Sequence, residues 1–373
     1  MTDFVKTLEQ IITNTVVPHA IETDSLGIFP HAAIDSLRDA GLLGLISAID
    51  VGGAGQDLRA AAMVVEKLAR ECASTAMIVC MHYCATAVIE KHSSIEIRKQ
   101  LAQGKHLATL AFSETGSRSH FWAPVGTAER DSDSIRLNAR KSWVTSAHHA
   151  TLYVWTSKPV IASGLSTLWL VPGKIDGISF TDNFDGIGLR GNDSTPVVAN
   201  DVIVPIHAML GEDGHGLNII LDTVLPVFSV LSTATAIGLM EGATIATCEH
   251  VKGTRHTHLD STLKDLPTIR AYLARMRILT DQSRCLWMDT LRALEEGRAD
   301  AMLRVLSCKA SAGESATQVL DYAMRICGGA AFRREAGIER RFRDARACTV
   351  MAPTTDQLYD FIGKAMCDMP VFG

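Results

Sequence analysis

The sequence predicts an α+β fold in which a β-barrel-like domain separates two helical domains. Near the start of the chain, Phe4, Leu8, Ile11 and Ile12 recur at the spacing of one helix face. The stretch 110–146 is instead rich in Ile, Val, Thr and Trp at short spacing, which is typical of strands. The helical pattern then returns and persists almost to the last residue. We predict an N-terminal helical domain, a middle β domain and a C-terminal four-helix bundle, at residues 1–109, 110–206 and 207–373 respectively.

The apolar patterns also place individual elements in the first two domains. In the N-terminal domain, one long helix is expected from 58 to about 75 and another over 76–90. In the middle domain, the strings TLYVWTS and STLWLVP predict two buried strands. The strings GISF and VVANDVIVP extend the β region to about residue 205, and GLRGNDST predicts a loop between them.

The C-terminal domain is predicted to be an antiparallel bundle of long helices with short connections. In the helix that begins at Leu263, apolar residues recur in a stripe wide enough to face a core. The expected helices of this domain are, in order, 217–251, 263–296, 299–326, a shorter one at 335–347 and a last one at 355–366.

Composition places the chain among ordinary globular proteins, with 373 residues, 47% of them hydrophobic and 21% charged. A formal net charge of -5 and the absence of a Lys/Arg run argue against a nucleic-acid surface. The amino terminus lacks the basic and apolar segments of a secretory signal, and the charge-free run 223–240 is better explained as a core helix than as a membrane span. The 9 cysteines lack disulfide spacing, so we expect reduced thiols in a cytoplasmic protein.

Several strings, all in the same chain order, resemble motifs of one family. GLLGLISAIDVGGAG resembles the loop that closes the first helical pair of acyl-CoA dehydrogenases. LAFSETGSRSH is similar to their A-x-T-E-P-x-x-G-S-D segment, and LNARKSWVTSA to their N-G-x-K-x-W-I-T-N strand. GLRGNDSTPVVANDVIVP with LGEDGHG, and RICGGAAF with IERRFRDARA, resemble two later family motifs. The resemblance runs from about residue 20 to the end of the chain.

This resemblance implies an FAD flavoprotein that oxidises an acyl thioester, normally an acyl-CoA, between Cα and Cβ. It also implies a homo-oligomer, either a dimer or a tetramer, with electron-transfer flavoprotein or oxygen as the electron acceptor. In the family, an arginine close to the position of Arg255 reaches the cofactor of a neighbouring subunit. The residues that the resemblance assigns to cofactor binding are Leu110, Phe112, Ser113, Ser119, Trp143, Thr145, Arg255, Gly328, Gly329, Thr354 and Asp356.

The residue types in this set suit a flavin. A tryptophan such as Trp143 offers a flat apolar wall to the ring system, and the hydroxyls of Ser113 and Thr145 can bond its polar edge. The guanidinium of Arg255 has the fork geometry that matches two phosphate oxygens. Without the resemblance, the simpler interpretation of Trp143 is a core side chain.

The catalytic base is missing from both positions where the family carries it. Dehydrogenation needs a carboxylate that removes the proton on Cα while hydride leaves Cβ. In most members this glutamate lies in a loop whose counterpart here is VMAPT, so its position is Ala352. The alternative position, on the first bundle helix, falls at Val227 or Phe228. The nearest carboxylates in the sequence, none of them matched to a family base, are Asp222, Glu241 and Asp356.

Arg118 and His120 are further departures, since they replace the Gly and Asp of a family motif. On a strand they would point to the same face, because they are two residues apart. That face could present cations to an anionic substrate or to the phosphates of CoA; a solvated turn is the alternative interpretation. Histidines elsewhere, including His148 and His149, have no acidic or Cys partner at ligand spacing, so no metal site is predicted.

These observations leave several functions open. The first is an acyl-CoA dehydrogenase whose base has moved elsewhere in the fold. The second is a flavin-dependent monooxygenase, or an enzyme of elimination chemistry, which needs no base at Cα. The third is a catalytically silent member that still binds FAD or acyl-CoA. We expect the first of these.

Overall fold

A computed structural model describes residues 3–117, 120–181, 183–256 and 260–371. The chain begins with a helical domain in which a π-helical segment, Ile12–Val16, separates the first two helices. The side chain of Asp57 caps the fourth helix by accepting a hydrogen bond from Ala60 N at 2.9 Å. The helices are α1 (Asp3–Ile11), α2 (Val17–Leu26), α3 (His31–Asp39), α4 (Leu58–Glu71), α5 (Ala73–His92) and α6 (Ile95–Ala102).

The middle of the chain forms two four-stranded sheets, ordered β1-β4-β5-β8 and β2-β3-β7-β6. Strand β1 pairs with β4 in parallel, whereas the other pairings in these sheets are antiparallel. A core of inward-facing side chains, among them Trp155 and Trp169, lies between them. The strands are β1 (Ala108–Ala111), β2 (Thr127–Asp131), β3 (Ser134–Val144), β4 (Leu152–Ser157), β5 (Thr167–Pro172), β6 (Ile178–Phe180), β7 (Thr195–Pro205) and β8 (Met209–Leu210).

The remainder of the chain is a bundle of long helices. Its first long helix, Leu225–Gly253, is buried along most of its length, and Trp287 of a neighbouring helix donates its indole N–H to Val230 O at 3.0 Å. A short hairpin of β9 (Arg255–His256) and β10 (Ser261–Thr262) follows this first helix. The helices are α7 (Gly216–Ile219), α8 (Leu225–Gly253), α9 (Pro267–Glu295), α10 (Ala301–Cys327), α11 (Ile338–Ala345), α12 (Ala347–Val350) and α13 (Thr355–Met366).

Helix α11 joins all three parts of the molecule. Its Arg343 pairs with Asp24 of α2 at 2.6 Å. The carboxylate of the adjacent Asp344 accepts a hydrogen bond at 2.6 Å from the backbone N–H of Leu189, in the loop before β7. Burial raises the pKa of Asp344 to about 6. The helical and β parts are therefore locked to each other by buried polar contacts as well as by apolar packing.

The predicted fold class is confirmed: helices, then strands, then a helical bundle follow one another in the expected order. The expected element bounds were less accurate. Helix α5 begins at Ala73 rather than at residue 76, and α9 begins at Pro267 because a capping box at Thr262 and Asp265 first forms a 3-10 turn over Leu263–Asp265. The domain boundaries at residues 109 and 206 stay a prediction.

Two helical stretches, Ala73–His92 and Gly216–Gly253, are long and apolar enough to cross a membrane by length and composition alone. Both are mostly buried within the protein, so they are accounted for as core helices. The cysteines are free thiols, and Cys80 and Cys84 of α5 are both buried in the core.

Candidate active site

The predicted flavin platform lies where the segment after β1 meets the end of β3. Ser142 N donates to Ser113 O at 2.8 Å, and Glu114 forms a single antiparallel bridge with Lys141. These backbone contacts bring Ser113 and Trp143 to one edge, although 30 residues separate them in the sequence (143 − 113). The sequence motifs that suggested a common site are therefore adjacent in the fold.

Trp143 stands out at this edge. Its side chain is 69% exposed and its φ is +57°, a backbone conformation that bulky residues rarely adopt. The β3–β7 register shifts between Lys141 and Val144, so the backbone at Trp143 departs from the regular ladder. Within the described part of the chain, its indole makes an edge-on contact with Phe184, with ring centroids 6.4 Å apart. The interpretation of Trp143 as a core side chain is thus wrong, and a large apolar ring is left open to a ligand.

An ion pair buried beneath this edge holds it in place. Lys141 Nζ lies 2.6 Å from Glu114 Oε1 and 2.7 Å from both the carbonyl and the hydroxyl oxygen of Thr156. The other carboxylate oxygen of Glu114 accepts hydrogen bonds from Val125 N at 2.5 Å and Gly126 N at 2.9 Å. The side chain of Lys141 is fully buried and that of Glu114 nearly so. Every polar atom of the pair is therefore satisfied, as a buried charge requires.

The other predicted contacts near this edge differ in accessibility. Leu110 and Phe112 are buried at the end of β1. Thr145 is buried too, and its hydroxyl lies 3.3 Å from Ser194 Oγ. His120 is exposed, with its ring edge-on to Trp122 and its Nδ1 3.1 Å from Ser117 O. Arg118 and Ser119, by contrast, lie outside the described residues.

Two predicted cofactor-binding regions, the Gly328–Gly329 corner and Arg255, come directly after long bundle helices rather than at the platform. Gly328 ends α10 with φ +53° and ψ −133°, a conformation that is open to glycine, and a Cβ added to Gly328 or Gly329 would meet nothing within 4 Å. Arg255, in β9, is largely exposed and pairs with Asp260 at 2.7 Å. Both are open surface features, as a contact with a ligand or a neighbouring subunit requires.

The loop that should carry the base connects α12 to α13. Ala352 is half-buried, Pro353 follows it, and Thr354 caps α13 by accepting a hydrogen bond from Gln357 N at 3.3 Å. Asp356 is exposed in the first turn of that helix. On α8, Val227 is half-buried and Phe228 is buried. Both expected base positions are thus filled by apolar side chains.

The remaining carboxylate candidates are in different environments. Glu241 accepts from Arg277 Nη1 at 3.0 Å through both oxygens and from Arg284 Nη2 at 3.3 Å. Both oxygens of Glu241 are therefore already engaged by guanidinium groups, and a contact with a substrate would have to displace them. Asp222 is exposed in the π-helical segment Ile220–Val224, which precedes α8.

Sequence reasoning missed one residue in this region, Lys309 of α10. Its Nζ donates to Pro353 O at 2.7 Å and to Met351 O at 3.0 Å, the carbonyls on either side of Ala352. The same ammonium lies 5.7 Å from the centroid of the Phe228 ring. A buried lysine therefore stands between the two positions where a base was expected, and only its place in a helical core, invisible in the sequence, reveals it.

Comparison with family models accounts for nearly the whole molecule. The models described as acyl-CoA dehydrogenase N-terminal, middle and C-terminal domains match residues 2–104, 109–202 and 214–367. The chain belongs to the acyl-CoA dehydrogenase family. It is therefore an oxidoreductase that acts on CH–CH bonds and uses FAD.

Individual relatives agree with this family assignment. Human short-chain specific acyl-CoA dehydrogenase, a mitochondrial protein, is 27% identical over 94% of this chain and 86% of its own length. Cyclohex-1-ene-1-carbonyl-CoA dehydrogenase of Geobacter metallireducens is 24% identical over 96% of each chain. Butyryl-CoA dehydrogenase from Megasphaera elsdenii superposes with a TM-score of 0.92 at 23% identity, covering 98% of this chain and 99% of its own.

The platform of this acyl-CoA dehydrogenase family member fits its cofactor. An exposed indole on a constrained backbone gives a rigid wall for an aromatic ring system, and the buried Lys141–Glu114 pair fixes its position. The open glycine corner at Gly328 and Gly329 leaves room for a ligand to approach the backbone. Among the described residues, no group of three or more potential metal ligands lies together.

Proposed function

We propose that this protein is an FAD-dependent acyl-CoA dehydrogenase that introduces a double bond between Cα and Cβ of an acyl thioester. The observation that supports it most strongly is the exposed, backbone-constrained Trp143 at the edge where β3 meets Ser113, two residues after the buried Lys141 that pairs with Glu114. Within a family of dehydrogenases, this arrangement supplies a flavin platform. Bound FAD would accept the hydride that leaves Cβ.

The chain's own residues would divide the remaining work. Trp143 would stack against the flavin, while Ser113 and Thr145 would bond its polar edge, with Leu110 and Phe112 forming the apolar floor beneath them. Ser119 and Thr354 would contact other parts of the cofactor. Arg255 would reach the cofactor of a neighbouring subunit, and Gly328 and Gly329 would lie under the adenine portion of the cofactor. Each of these residues is open at the surface. Arg118 and His120 are proposed contacts for anionic groups of the substrate.

Removal of the α-proton requires a base other than residue 352. Among the carboxylates that the sequence suggested, Asp356 is the best placed, because it is exposed in the first turn of α13, the helix that directly follows the loop of Ala352. Asp222 is the second choice, whereas Glu241 is already held by two arginines. The proton would pass from Cα to this carboxylate as hydride leaves Cβ.

The partners follow from the same proposal. We propose acyl-CoA as the substrate, electron-transfer flavoprotein as the electron acceptor, a homo-oligomer as the working form and the cytoplasm as its location. One neighbour in structure, with a TM-score of 0.92, comes from a structure titled for the electron transferring flavoprotein of Acidaminococcus fermentans. The monooxygenase and elimination alternatives gain no support from the sequence relatives, which are named as dehydrogenases.

Anaerobic reduction of the bound flavin tests this function. The purified yellow protein is mixed with a panel of straight, branched and cyclic acyl-CoAs, and with acyl thioesters of a carrier protein, while absorbance near 450 nm is followed. At least one thioester should bleach the flavin and yield an α,β-unsaturated product. Asp356→Asn should slow bleaching at least about a hundredfold, in the range of general-base catalysis, and Asp360→Asn, exposed on the same helix, should not. A protein whose flavin no thioester reduces, but which consumes oxygen with substrate when its flavin is reduced externally, would be a monooxygenase instead.

A further inference from the structure

Lys309 occupies an unusual position in the bundle. Its side chain is 2% exposed, and in the described part of the chain it forms no ion pair with a carboxylate. A buried ammonium without a counter-charge is costly, and proteins retain one only where other groups stabilise it. The groups that do so here belong to the loop at the expected base position and to the α8 helix.

The contacts of Lys309 tie three elements together. From α10, its Nζ donates to the carbonyls of Met351 and Pro353, and it lies within cation–π distance of Phe228 on α8. Gly313 is one helical turn further along the same face of α10. A Cβ at Gly313 would stand 3.1 Å from Cys348 O and 3.3 Å from Thr355 Oγ1. Lys309 and Gly313 therefore form a face of α10 that receives the segment 348–355 at close range.

The hydrogen bonds to Lys309 also fix the orientation of the loop. The peptide between Met351 and Ala352 is not among the cis bonds of the described residues, so its C=O and N–H point in opposite directions. Because the carbonyl points at Lys309, the N–H of Ala352 points away from α10, and no hydrogen bond within the described chain uses it. Lys309 thus determines which side of the loop presents its backbone donor.

Lys309 is also surrounded by groups that do not neutralise it. The titratable groups that face it are thiols: Cys80 on α5, the adjacent Cys308, and Cys348 on α12. Burial raises the pKa of Cys348 to about 12 and also raises that of Cys308, so both stay protonated at neutral pH. Burial lowers the pKa of Lys309 itself to about 8.

We propose that Lys309 is a positioning residue for the substrate side of the site: its amine clamps the carbonyls of Met351 and Pro353 and thereby fixes the loop that holds Ala352. This proposal rests on the proposed function in one respect. The loop of Ala352 belongs to the substrate side of the site because most family members carry the catalytic base there. Since Ala352 has no carboxylate to anchor the loop from the substrate side, the interior contact through Lys309 is what holds this segment against α10. Loss of the proton weakens the clamp, because an amine is a poorer donor than an ammonium.

Hydrogen exchange in the holoenzyme tests the clamp without turnover. Protection factors, corrected for intrinsic rates, are compared for residues 348–355 in the wild type, Lys309→Met, Lys309→Gln and Lys309→Arg, at pH 7 and pH 9. We expect Lys309→Met to lose at least about tenfold in protection in this segment, and Lys309→Gln, a neutral donor, to lose less. The wild type should lose protection between pH 7 and pH 9, whereas Lys309→Arg should not, since guanidinium stays charged. Lys67→Met on α4 is the control, because it removes a lysine that pairs with Glu9 at the surface.

The outcomes separate the clamp from other roles. Unchanged protection in both Lys309→Met and Lys309→Gln overturns the proposal, and the pH response of the wild type and Lys309→Arg still tests it if the methionine variant fails to fold. If Lys309→Arg keeps the loop protected but abolishes flavin reduction by acyl-CoA, Lys309 transfers a proton and is not a positioning residue. If no acyl-CoA reduces the wild-type flavin while the exchange pattern holds, the dehydrogenase function fails and the clamp remains.

Discussion

Two lysines in this protein are buried as completely as core leucines, and they differ in what accompanies them. Lys141 in the β domain faces Glu114 at 2.6 Å and two oxygens of Thr156 at 2.7 Å. Lys309 in the helical bundle faces two backbone carbonyls and an aromatic ring. The first is a neutral pair overall, whereas the second is a net positive charge in the interior. Lys141 lies beneath the cofactor side of the proposed active site, and Lys309 lies beneath its substrate side, the loop of Ala352.

This difference suggests different tasks for the two halves. Burial lowers the pKa of both lysines to about 8, so the two differ in their partners rather than in their titration. An ammonium paired with a carboxylate suits a platform for a tightly held cofactor, whereas a contact with two carbonyls and a ring leaves the loop more easily displaced. Stability of the cofactor side and adjustability of the substrate side would then be separate properties. The following substitutions test that separation.

The largest effect is expected from Glu114→Ala. This change leaves Lys141 buried without a counter-charge and also removes the acceptor for Val125 N and Gly126 N. Breaking a buried pair in this way should lower the free energy of unfolding by about 3–5 kcal/mol, and FAD should be lost during purification. Urea unfolding followed by circular dichroism measures the first effect, and the flavin-to-protein absorbance ratio the second.

A double substitution serves as the control for that result. Glu114→Gln with Lys141→Met removes both charges but keeps a side-chain oxygen that can accept from Val125 N and Gly126 N, and exchange of a buried pair for neutral groups is often close to neutral in stability. If the double variant is as unstable as Glu114→Ala, the ion pair itself is not what supports the platform. The role given to the Lys141–Glu114 pair in the comparison of the two lysines would then be wrong.

The second effect concerns the pH dependence of stability. The pKa of Lys309 is about 8 in the folded protein, against an ordinary value of 10.5 for an exposed lysine, so between these values the unfolded chain binds more protons. The free energy of global unfolding must therefore rise with pH in that window. The loop contact weakens over the same range, because local opening of the loop leaves Lys309 within the bundle whereas global unfolding exposes it to water. The difference between the wild type and Lys309→Met should therefore shift in favour of the wild type between pH 8 and pH 10.5, by up to about 3 kcal/mol.

Comparing the two proteins at each pH cancels the titration of all other groups, Lys141 included. Unfolding midpoints in urea at pH 7, 8, 9 and 10 provide the measurement. Parallel curves for the wild type and Lys309→Met over this range would mean that burial in the bundle does not lower the pKa of Lys309.

The fold could be predicted from the sequence, but only part of the site could. Motif order and hydrophobic period placed the helices and strands, because local patterns decide those elements. The resemblance of its strand to a family motif assigns Trp143 to the platform, whereas the residue type alone predicts a buried core side chain. Lys309 could not be found in this way, since a lysine in a helical pattern reads as a solvated residue, and its burial arises from α8, α12 and α13 packing around α10. The interior of a site depends on tertiary contacts that no local pattern encodes.

The platform's exposed surface offers a third prediction. Trp143→Ala removes a side chain that is 69% exposed, so the free energy of unfolding of the apoprotein should change by less than about 1 kcal/mol. Affinity for FAD should fall about tenfold, equivalent to about 1.4 kcal/mol for a lost aromatic stack. Trp143→Phe should keep most of the affinity. Titration of the apoprotein with FAD, followed by flavin fluorescence, measures both, and an unchanged dissociation constant for Trp143→Ala would remove Trp143 from the platform.

The smallest effect is expected from an exposed ion pair on the same strand as Lys141. Arg136 of β3 bonds Asp131 of β2 at 2.7 Å, and both side chains are open to solvent. Asp131→Ala should leave the urea midpoint and the flavin content unchanged within error, because water screens an exposed pair and its side chains lose entropy when held together. Lys141 and Arg136 thus differ in burial, although both lie on β3 and each pairs with a carboxylate. If Asp131→Ala destabilised the protein as much as Glu114→Ala, burial would not be what makes the Lys141 pair important, and the hairpin β2–β3 as a whole would be the sensitive element.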